Sequence, residues 1–238
     1  MKILQLNTWT GRIKGALARF FENGDFDVVC LQEAVWGSNK LLDNFSVTVD
    51  QIKELGEFNY DFRSANWGLR ISDFKMEQGN AILTREKIVE EKTEIVHGEY
   101  QELKNLEDIE KQGYTIQIVR LENGLNIVNH HGFWRPSPVG DEVTVKVMKK
   151  VAEIVRGLEG PIVMCGDLNI THDSLAMREL DFLRDLTAES KIHTTLSGLK
   201  FDGEVACDHV LVSPEIEVKN FRVLDDLVSD HKGLVLEI

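Results

Sequence analysis

The stretch YTIQIVRLENGLNIVNHH, residues 114–131, constrains the fold of this chain more than any other part of the sequence. Apolar and polar residues alternate on both sides of Asn123-Gly124, a residue pair that is preferred in the type I′ turns of two-stranded hairpins. The pattern therefore predicts two neighbouring antiparallel strands. A sheet that contains such a hairpin is not purely parallel, so a doubly wound parallel fold is disfavoured.

Helices and further strands are mixed along the rest of the chain. The segment EVTVKVMKKVAEIVRGLEG carries Val147, Val151, Val155 and Leu158 at helical spacing, which predicts an amphipathic helix. Short apolar runs predict buried strands at KILQLNTW, FDVVCLQE, PIVMCGD, CDHVLVS and KGLVLEI. No linker, repeat or low-complexity stretch divides the 238 residues, so we expect a single mixed α/β domain over residues 1–238.

Weaker patterns fill the intervals between these elements. Strands are also expected at YDFRSANW, GNAILTR and IEVKNFRVL, and helices at IKGALARFFENG, SNKLLDNF, TVDQIKELG and LAMRELDFL. The polar segment LKNLEDIEKQ is expected to be an exposed loop or a helix fragment.

The chain is acidic, with 27 Lys and Arg residues against 40 Asp and Glu residues and a net charge of -13. A protein that binds nucleic acid mainly through its phosphates needs a basic patch. The longest basic run here is Lys149-Lys150. We therefore do not expect strong binding to long duplex DNA, whereas a carboxylate-rich site for a cation suits this charge.

The cysteines and the N-terminus indicate a compartment. Cys30, Cys165 and Cys207 are odd in number and widely spaced, which favours buried thiols in a reducing cytosol over disulfides or a zinc site. The opening MKILQLNTW is too short for the apolar region of a signal peptide. No apolar run reaches the roughly 18 residues of a membrane span. We expect a cytoplasmic protein with no membrane span.

Polar residues stand where the apolar runs begin or end. Turn chemistry explains one such strand end, because Gly, Asp and Asn are common turn residues. It explains the repetition poorly, because turns use Gly, Pro and Ser as readily and have no need of His. The residues at these positions are Asn7, Gln32, Glu33, Asn129, His130, His131, Asp167, Asn169, Asp208, Asp230 and His231.

These residue types point to a definite chemistry. Carboxylates and amides supply the oxygen ligands that Mg²⁺ or Mn²⁺ takes. Histidines with an aspartate can bind a phosphoryl oxygen while a further aspartate activates water. Zinc fits less well because the cysteines lie in apolar runs, and the Gly-x-Ser-x-Gly elbow of a serine hydrolase does not occur.

The motifs also carry a family resemblance. LNTW, LQE, GNAILTR, IVNHHG, CGDLN, CDHVLVS and SDHKGLVLEI occur in the order and rough spacing of the endonuclease/exonuclease/phosphatase superfamily, of the deoxyribonuclease I type. The combination of GDLN with a later SDH before a terminal strand is more specific than either motif alone. The resemblance runs from Asn7 to the C-terminal strand. It implies a four-layer α/β/β/α sandwich, with two mixed sheets face to face and helices outside.

The resemblance implies a metal site that holds Mg²⁺ or Mn²⁺. Asn7 and Glu33 are its expected residues, with Glu33 the principal ligand, and Asp230 is a further contact.

It also implies the catalytic residues. Asp167 is expected to orient or deprotonate the attacking water, and Asn169 to hold Asp167 and the scissile phosphate. His231 is expected to stabilise charge on a phosphate oxygen, with Asp208 fixing its tautomer. His131 is expected to donate to the phosphate or to the leaving oxygen.

The motifs leave some alternatives open. The sequence NHHG does not decide between His131 and His130 as the motif histidine. Trp134 is a candidate for a substrate wall, with ordinary packing as an equal alternative, and His209 is interpreted as structural or surface. Trp9 stands where abasic-site endonucleases of the family carry an aspartate, which disfavours that activity.

The expected function is hydrolysis of a phosphodiester by an activated water. Nucleic-acid ends or small nucleotides are preferred as substrates over lipid or inositol phosphates. The alternatives are a phosphomonoesterase of the same fold and a non-catalytic descendant that binds a partner.

Overall fold

Two β-sheets form the centre of the molecule in the computed structural model, which describes residues 1–37, 41–71, 73–103, 112–200 and 203–238. The first sheet has seven strands. In sheet order, these strands are β12 (Asn220–Val223), β13 (Leu234–Glu237), β1 (Lys2–Asn7), β2 (Val28–Trp36), β4 (Phe74–Thr84), β3 (Tyr60–Ile71) and β6 (Gln101–Leu103).

The second sheet has six strands. Its order is β10 (Arg184–Asp185), β11 (Asp208–Val212), β9 (Ile162–Asp167), β8 (Asn126–His130), β7 (Tyr114–Leu121) and β5 (Ile88–His97). Each sheet contains a parallel pair beside antiparallel neighbours at its centre, β1 with β2 and β8 with β9, and the first sheet has a second parallel pair at its edge, β3 with β6. Both sheets are therefore mixed, as the hairpin pattern requires.

Helices cover the outer faces of both sheets. Helices α1 (Lys14–Asn23) and α3 (Val49–Leu55) pack on the first sheet through Leu17, Phe21 and Ile52. Helix α4 (Glu142–Arg156) and a 3₁₀ helix at Leu175–Leu180 cover the second sheet. Short helices α2 (Leu42–Phe45) and α5 (Leu186–Glu189) complete the described set, with a 3₁₀ turn at Trp9–Gly11. The predicted four-layer α/β/β/α sandwich is confirmed.

The long helix α4 begins and packs as its sequence predicts. Its N-cap Asp141 accepts hydrogen bonds from the backbone amides of Val143 and Thr144, while Thr144 Oγ1 accepts from the Asp141 amide. This reciprocal arrangement satisfies amides that have no partner inside the helix. Val147 and Val151 are buried against the second sheet. Among the helices of the described ranges, none is long and apolar enough to cross a bilayer.

The inner faces of the two sheets share one core. Alternate residues of the central strands point into it, so that Ile3 and Cys30 of the first sheet pack near Val163 and Val210 of the second. All four side chains are buried. Facing sheets of this kind bring the ends of their central strands to one edge of the sandwich.

The hairpin forms, but with a different turn. A type I′ turn requires positive φ at both central residues, and only Gly124 (φ 86°) has it. Instead Gly124 N donates to Leu121 O, Leu121 N donates to Leu125 O, and Asn123 Oδ1 accepts from Leu125 N. The connection is therefore a three-residue loop, residues 122–124, closed by the Leu121–Leu125 bond, and the Asn123 side chain adds a local hydrogen bond to it.

Three other predicted segments differ from the structure. LAMRELDFL is a 3₁₀ helix over Leu175–Leu180 rather than an α-helix, and IEVKNFRVL contributes only Asn220–Val223 as a strand. SNKLLDNF contributes α2, with residues 38–40 outside the described ranges. Most of LKNLEDIEKQ, residues 104–111, also lies outside them.

Candidate active site

The ends of four central strands meet at one edge of the sandwich. Asn7 ends β1 and is paired with Gln32 in the parallel register of β1 and β2. Asp167 ends β9, and it is paired with Asp208 at the start of β11. Further polar residues, among them Glu33 and Asn169, lie close to these strand ends in the chain. Polar side chains from both sheets therefore face one shared cleft.

Asp167 lies at the centre of this group. Its Oδ2 accepts a hydrogen bond from Asn7 Nδ2 at 3.0 Å. The Nε2 atoms of His131 and His231 lie 3.6 and 3.7 Å from the same oxygen. Only 1% of Asp167 is exposed, and burial raises its pKa while the His231 imidazole acts in the opposite direction. A carboxylate whose pKa is raised is a stronger base than an ordinary aspartate and is better suited to accept a proton from water.

His231 is held by Asp208. Its Nδ1 donates to Asp208 Oδ2 at 2.8 Å, which leaves Nε2 turned toward the cleft. Burial lowers the pKa of His231, but the carboxylates of Asp208 and Asp167 outweigh burial and raise it well above its ordinary value. Burial raises the pKa of Asp208, and its bonds to His231, Thr195 and Gln5 hold it below its ordinary value. The pair therefore presents a charged N–H to the cleft.

A backbone irregularity carries Glu33. The register of β2 against β4 shifts between Leu31 and Ala34, and Glu33 adopts φ 48° in this bulge. Such a bulge re-aims the side chain at a strand end. Glu33 Oε1 accepts from Asn7 Nδ2 at 3.3 Å. Asn7 Oδ1 in turn accepts from the Trp9 backbone amide at 3.0 Å. The side-chain nitrogen of Asn7 therefore donates to two carboxylates, those of Glu33 and Asp167.

Asp230 completes the acidic side of the cleft. It is 4% exposed, and burial raises its pKa, with the negative charge of Glu33 acting in the same direction. Lys200 Nζ lies 3.8 Å from its Oδ2. Glu33 and Asp230 thus bring two oxygen-donor carboxylates to one wall, the kind of ligand that a hard divalent cation requires.

The loop that follows β9 fixes Asn169. This residue has φ 57°, its amide donates to Asp167 Oδ1 at 3.0 Å, and its Nδ2 donates to Gly132 O at 3.0 Å. The Gly132 amide donates to Asp167 O at 2.7 Å. A Cβ on Gly132 would stand 2.1 Å from Leu168 O, so only glycine permits this approach of the two loops.

The two adjacent histidines have different positions. His130 is fully buried, its Nδ1 lies 2.9 Å from Thr115 O, and burial lowers its pKa to about 4. His131 lines the cleft beside Asp167. The structure thus places His131, rather than His130, among the cleft residues.

The cleft has a volume of about 710 Å³. Glu33, Asp167, Asp230, His131, His231 and Asn169 line its acidic and polar part, whereas Asn7 and Asp208 lie behind them. The structure therefore brings all eight predicted site residues together. Apolar walls come from two separate segments, one with Trp134, Pro136 and Pro138, the other with Leu196 and Val205.

A compact group of donors lies beneath the cleft. Asp167, Cys207, Asp208 and His231 each offer one ligand atom, all within 4.8 Å of one another. Burial raises the pKa of the Cys207 thiol far above its ordinary value, so it stays protonated. Both oxygens of Asp208 already accept hydrogen bonds from side chains. A cation is therefore better served by Glu33 and Asp230 than by this group as a whole.

Two residues that support Asp208, Gln5 and Thr195, were missed by the sequence reasoning. Gln5 Nε2 donates to Asp208 Oδ1 and to Gln32 Oε1, both at 2.9 Å, and Thr195 Oγ1 donates to Asp208 Oδ2 at 2.6 Å. Gln32 Nε2 continues the chain to Asn129 Oδ1 at 2.7 Å. Gln5 stands two residues before Asn7 on the same face of β1, which is the signal that would have identified it.

The sequence matches the model of one protein family, described as "Endonuclease/Exonuclease/phosphatase family", over residues 4–231. A comparison with curated protein sequences gives no match.

Solved structures share the fold at low sequence identity. An endonuclease/exonuclease/phosphatase from Beutenbergia cavernae DSM 12333 superposes with a TM-score of 0.72 at 18% identity, over 99% of this chain and 70% of that one. A family protein from Leptotrichia buccalis C-1013-b gives 0.69 at 19%, over 100% and 99%. A mannosyl-6-phosphatase from Bacteroides thetaiotaomicron VPI-5482 gives 0.66 at 19%, over 100% and 98%. These likenesses support the fold.

Proposed function

This chain belongs to the endonuclease/exonuclease/phosphatase family, and on that premise we propose that it hydrolyses a phosphodiester with an activated water and a bound divalent cation. The observation that carries the proposal is the convergence on Asp167 Oδ2 of Asn7 Nδ2 and of the Nε2 atoms of His131 and His231. One buried carboxylate is thus placed beside two imidazoles that can face a phosphate.

The acidic wall fits a divalent cation. Glu33 and Asp230 supply carboxylate oxygens, and the raised pKa of Asp230 reflects burial and nearby negative charge that a cation would relieve. We propose Glu33 as the principal ligand of Mg²⁺ or Mn²⁺, with Asn7 and Asp230 as the other metal-site residues. When bound, the ion stabilises the charge that develops on the leaving oxygen.

The remaining roles follow from the hydrogen bonds. Asp167 accepts the proton of the attacking water. Asn169 keeps the Asp167 carboxylate in place, because the backbone amide of Asn169 donates to Asp167 Oδ1. His231, oriented by Asp208, donates from Nε2 to a phosphoryl oxygen as negative charge develops there. His131 donates to the phosphate or to the leaving oxygen.

A diester suits the lining of the cleft better than a monoester. Arg135 and Lys200 are the basic side chains among the described cleft residues, and each lies near a carboxylate, Asp141 at 2.8 Å and Asp230 at 3.8 Å. A diester carries one negative charge where a monoester carries about two near neutral pH. Apolar walls from two segments offer surface for ester groups rather than for additional charge.

We also propose that the protein acts in the cytoplasm. Cys30 and Cys165 are buried in the core that the two sheets share, and both thiols are free. Neighbouring thiols that remain unbonded favour a reducing compartment.

Hydrolysis of bis-p-nitrophenyl phosphate tests the function. We expect turnover with Mg²⁺ or Mn²⁺, loss of turnover with a chelator, and a decrease of about 10²- to 10⁴-fold in Asp167→Asn. Asp181→Asn, an exposed aspartate at the end of the 3₁₀ helix, is the matched control and should be unaffected. Turnover that survives the chelator or Asp167→Asn would refute the mechanism.

A thermal shift tests the metal separately. Mn²⁺ should raise the Tm of the wild type and leave that of Glu33→Gln unchanged, because an ion that binds only the folded state stabilises it. Equal shifts in both proteins would place the ion elsewhere.

A further inference from the structure

Trp134 is a large apolar side chain exposed beside the candidate catalytic residues. Its indole is 57% exposed and lines the same cleft as Glu33 and Asp167. Apolar surface of the indole is in contact with water in this position, which is unfavourable in free energy. Burial of the indole against a ligand would remove this penalty. Within the part of the chain that the structure describes, more than half of this apolar side chain is left uncovered beside the candidate catalytic residues.

The backbone around this indole is fixed from two sides. The amide of Gly132 donates to Asp167 O at 2.7 Å, which ties the start of the loop to the catalytic strand. The amide of Thr171 donates to Pro138 O at 2.9 Å, which ties its far end. Ser174 Oγ adds a bond of 2.7 Å to the next carbonyl, that of Val139. A ligand that stacks on the indole thus meets a surface that is already ordered.

The surroundings select among flat ligands. Pro136 and Pro138 extend the wall beside Trp134, and Leu196 and Val205 supply apolar surface from another segment. Carbohydrate rings need several polar side chains for their hydroxyl groups. Away from the acidic wall, the polar side chains that line the described part of the cleft already have partners: Gln112 Nε2 donates to the Tyr114 hydroxyl at 3.3 Å, and Arg135 and Lys200 lie near carboxylates. An aromatic base needs mainly a π face.

Charge sets the size of the ligand. The chain has a net charge of -13. Apart from His131 and His231 beside Asp167, the basic residues among the described cleft residues are Arg135 and Lys200, and each lies near a carboxylate. A long polyphosphate backbone would find little positive charge here. A cleft of about 710 Å³ accommodates a single nucleoside with its phosphate.

We propose that Trp134 is the stacking residue of a nucleoside subsite, so that the phosphodiester cleaved at Asp167 belongs to a small nucleotide whose base lies on this indole. The proposal rests on the proposed function for the identity of the reaction and on the geometry of the Trp134 loop for the subsite. It names the substrate class that the hydrolytic site serves.

A binding measurement tests the subsite without turnover. Thymidine 5′-monophosphate and methyl phosphate share a phosphate monoester and differ in the nucleoside. By calorimetry in the presence of Mn²⁺, we expect the wild type to bind the nucleotide at least about fivefold more tightly, the lower limit for stacking of one base. Trp134→Ala should lose this preference, and Trp134→Phe should keep part of it.

Controls separate stacking from a general effect. Tyr60→Ala removes an exposed aromatic ring that does not line the cleft, and it should leave both affinities unchanged. Mannose 6-phosphate should bind no more tightly than methyl phosphate. A preference that persists in Trp134→Ala, no binding of the nucleotide, or tighter binding of the sugar phosphate would each overturn the subsite.

Turnover distinguishes this inference from the proposed function. Thymidine 5′-(p-nitrophenyl phosphate) and methyl p-nitrophenyl phosphate release the same leaving group. Trp134→Ala should lower kcat/KM at least about fivefold for the first and leave the second within twofold. If neither ester is hydrolysed but the binding preference still depends on Trp134, the hydrolytic function fails while the subsite stands. An equal loss for both esters would refute a stacking role.

Discussion

Two buried histidine–aspartate pairs lie near the same edge of the second sheet and differ at one atom. In the first, His231 Nδ1 is 2.8 Å from Asp208 Oδ2, and its Nε2 is turned to the cleft. In the second, His209 Nδ1 is 2.9 Å from Asp185 Oδ2, and its Nε2 is 2.9 Å from the carbonyl oxygen of Ile170. In both pairs a buried imidazole is bonded through Nδ1 to an aspartate. The Nε2 atom of His209 is already bonded to the protein, whereas that of His231 faces the cleft.

The comparison shows what makes a buried histidine usable. Burial lowers the pKa of His209, but Asp185 outweighs it and raises the pKa above its ordinary value, as Asp208 does for His231. Both rings therefore hold a proton more strongly than a free imidazole does. His209 directs each N–H to a protein acceptor and fastens the loop after β9 to β11, whereas one N–H of His231 faces the cleft, where we propose that it meets the substrate. Residue type and pKa alone would not separate the two.

The largest expected effect that tests this difference is on turnover. His231→Ala should lower kcat for bis-p-nitrophenyl phosphate by about 10²-fold or more, because it removes a donor to charge that develops in the transition state. His209→Ala, compared at a temperature at which both variants are folded, should stay within about tenfold of the wild type. Comparable losses in the two variants would contradict the assignment of different roles.

Stability should show the opposite order. His209→Ala leaves the buried carboxylate of Asp185 without its cation, and removal of one partner from such a pair typically costs about 3–5 kcal/mol. Each carboxylate keeps at least two other hydrogen bonds, Asp185 from backbone amides and Asp208 from side chains. His231 lines the cleft, so water can enter the space that its removal leaves, whereas His209→Ala also removes the bond to Ile170 O inside the fold. His231→Ala should therefore lose less. Urea unfolding monitored by circular dichroism gives both free energies. A larger loss in His231→Ala would mean that the two pairs had been assigned the wrong way round.

The smallest effect is the pH dependence of the structural pair. The raised pKa of His209 means that its contribution is complete below the unfolded value of 6.5 and is lost as pH rises through the folded value. Burial raises the pKa of Asp185 but His209 and backbone amides outweigh it, so its contribution is lost only as pH falls below 3.8, through the lowered folded value.

The difference in free energy of unfolding between the wild type and His209→Ala should therefore be greatest between about pH 4 and 6.5 and shrink at higher pH. A series of urea titrations across pH measures it. A difference that grows with rising pH would show that His209 is neutral in the folded protein.

Much of the fold followed from the sequence because its signals are local. Alternation around Asn123-Gly124 specified antiparallel strands, and the stripe Val147, Val151 and Val155 specified α4. The turn type was wrong because the Asn123 side chain bonds to the Leu125 amide, a contact that a residue pair does not encode. The single domain over residues 1–238 stays a prediction.

The site was predictable only in part. Strand ends marked Asn7, Asp167 and Asp208, because the ends of central strands meet wherever the sheets pack face to face. Sequence did not reveal the left-handed backbone of Glu33, which depends on a bulge against β4. It also did not reveal Gln5, whose bond to Asp208 depends on which strands face each other across the core. The catalytic and metal-binding roles stay predictions.

The row of amides between the sheets has a consequence for how this protein can change. Aliphatic surfaces in contact slide over one another with little penalty, whereas Gln5, Gln32 and Asn129 have their partners at one relative offset of the two layers. A shift of one sheet relative to the other would break several of these buried hydrogen bonds at the same time. Residues that do not line the cleft thus fix the position of one half of it relative to the other, and we expect substitution at any one of them to weaken the bonds of its neighbours as well.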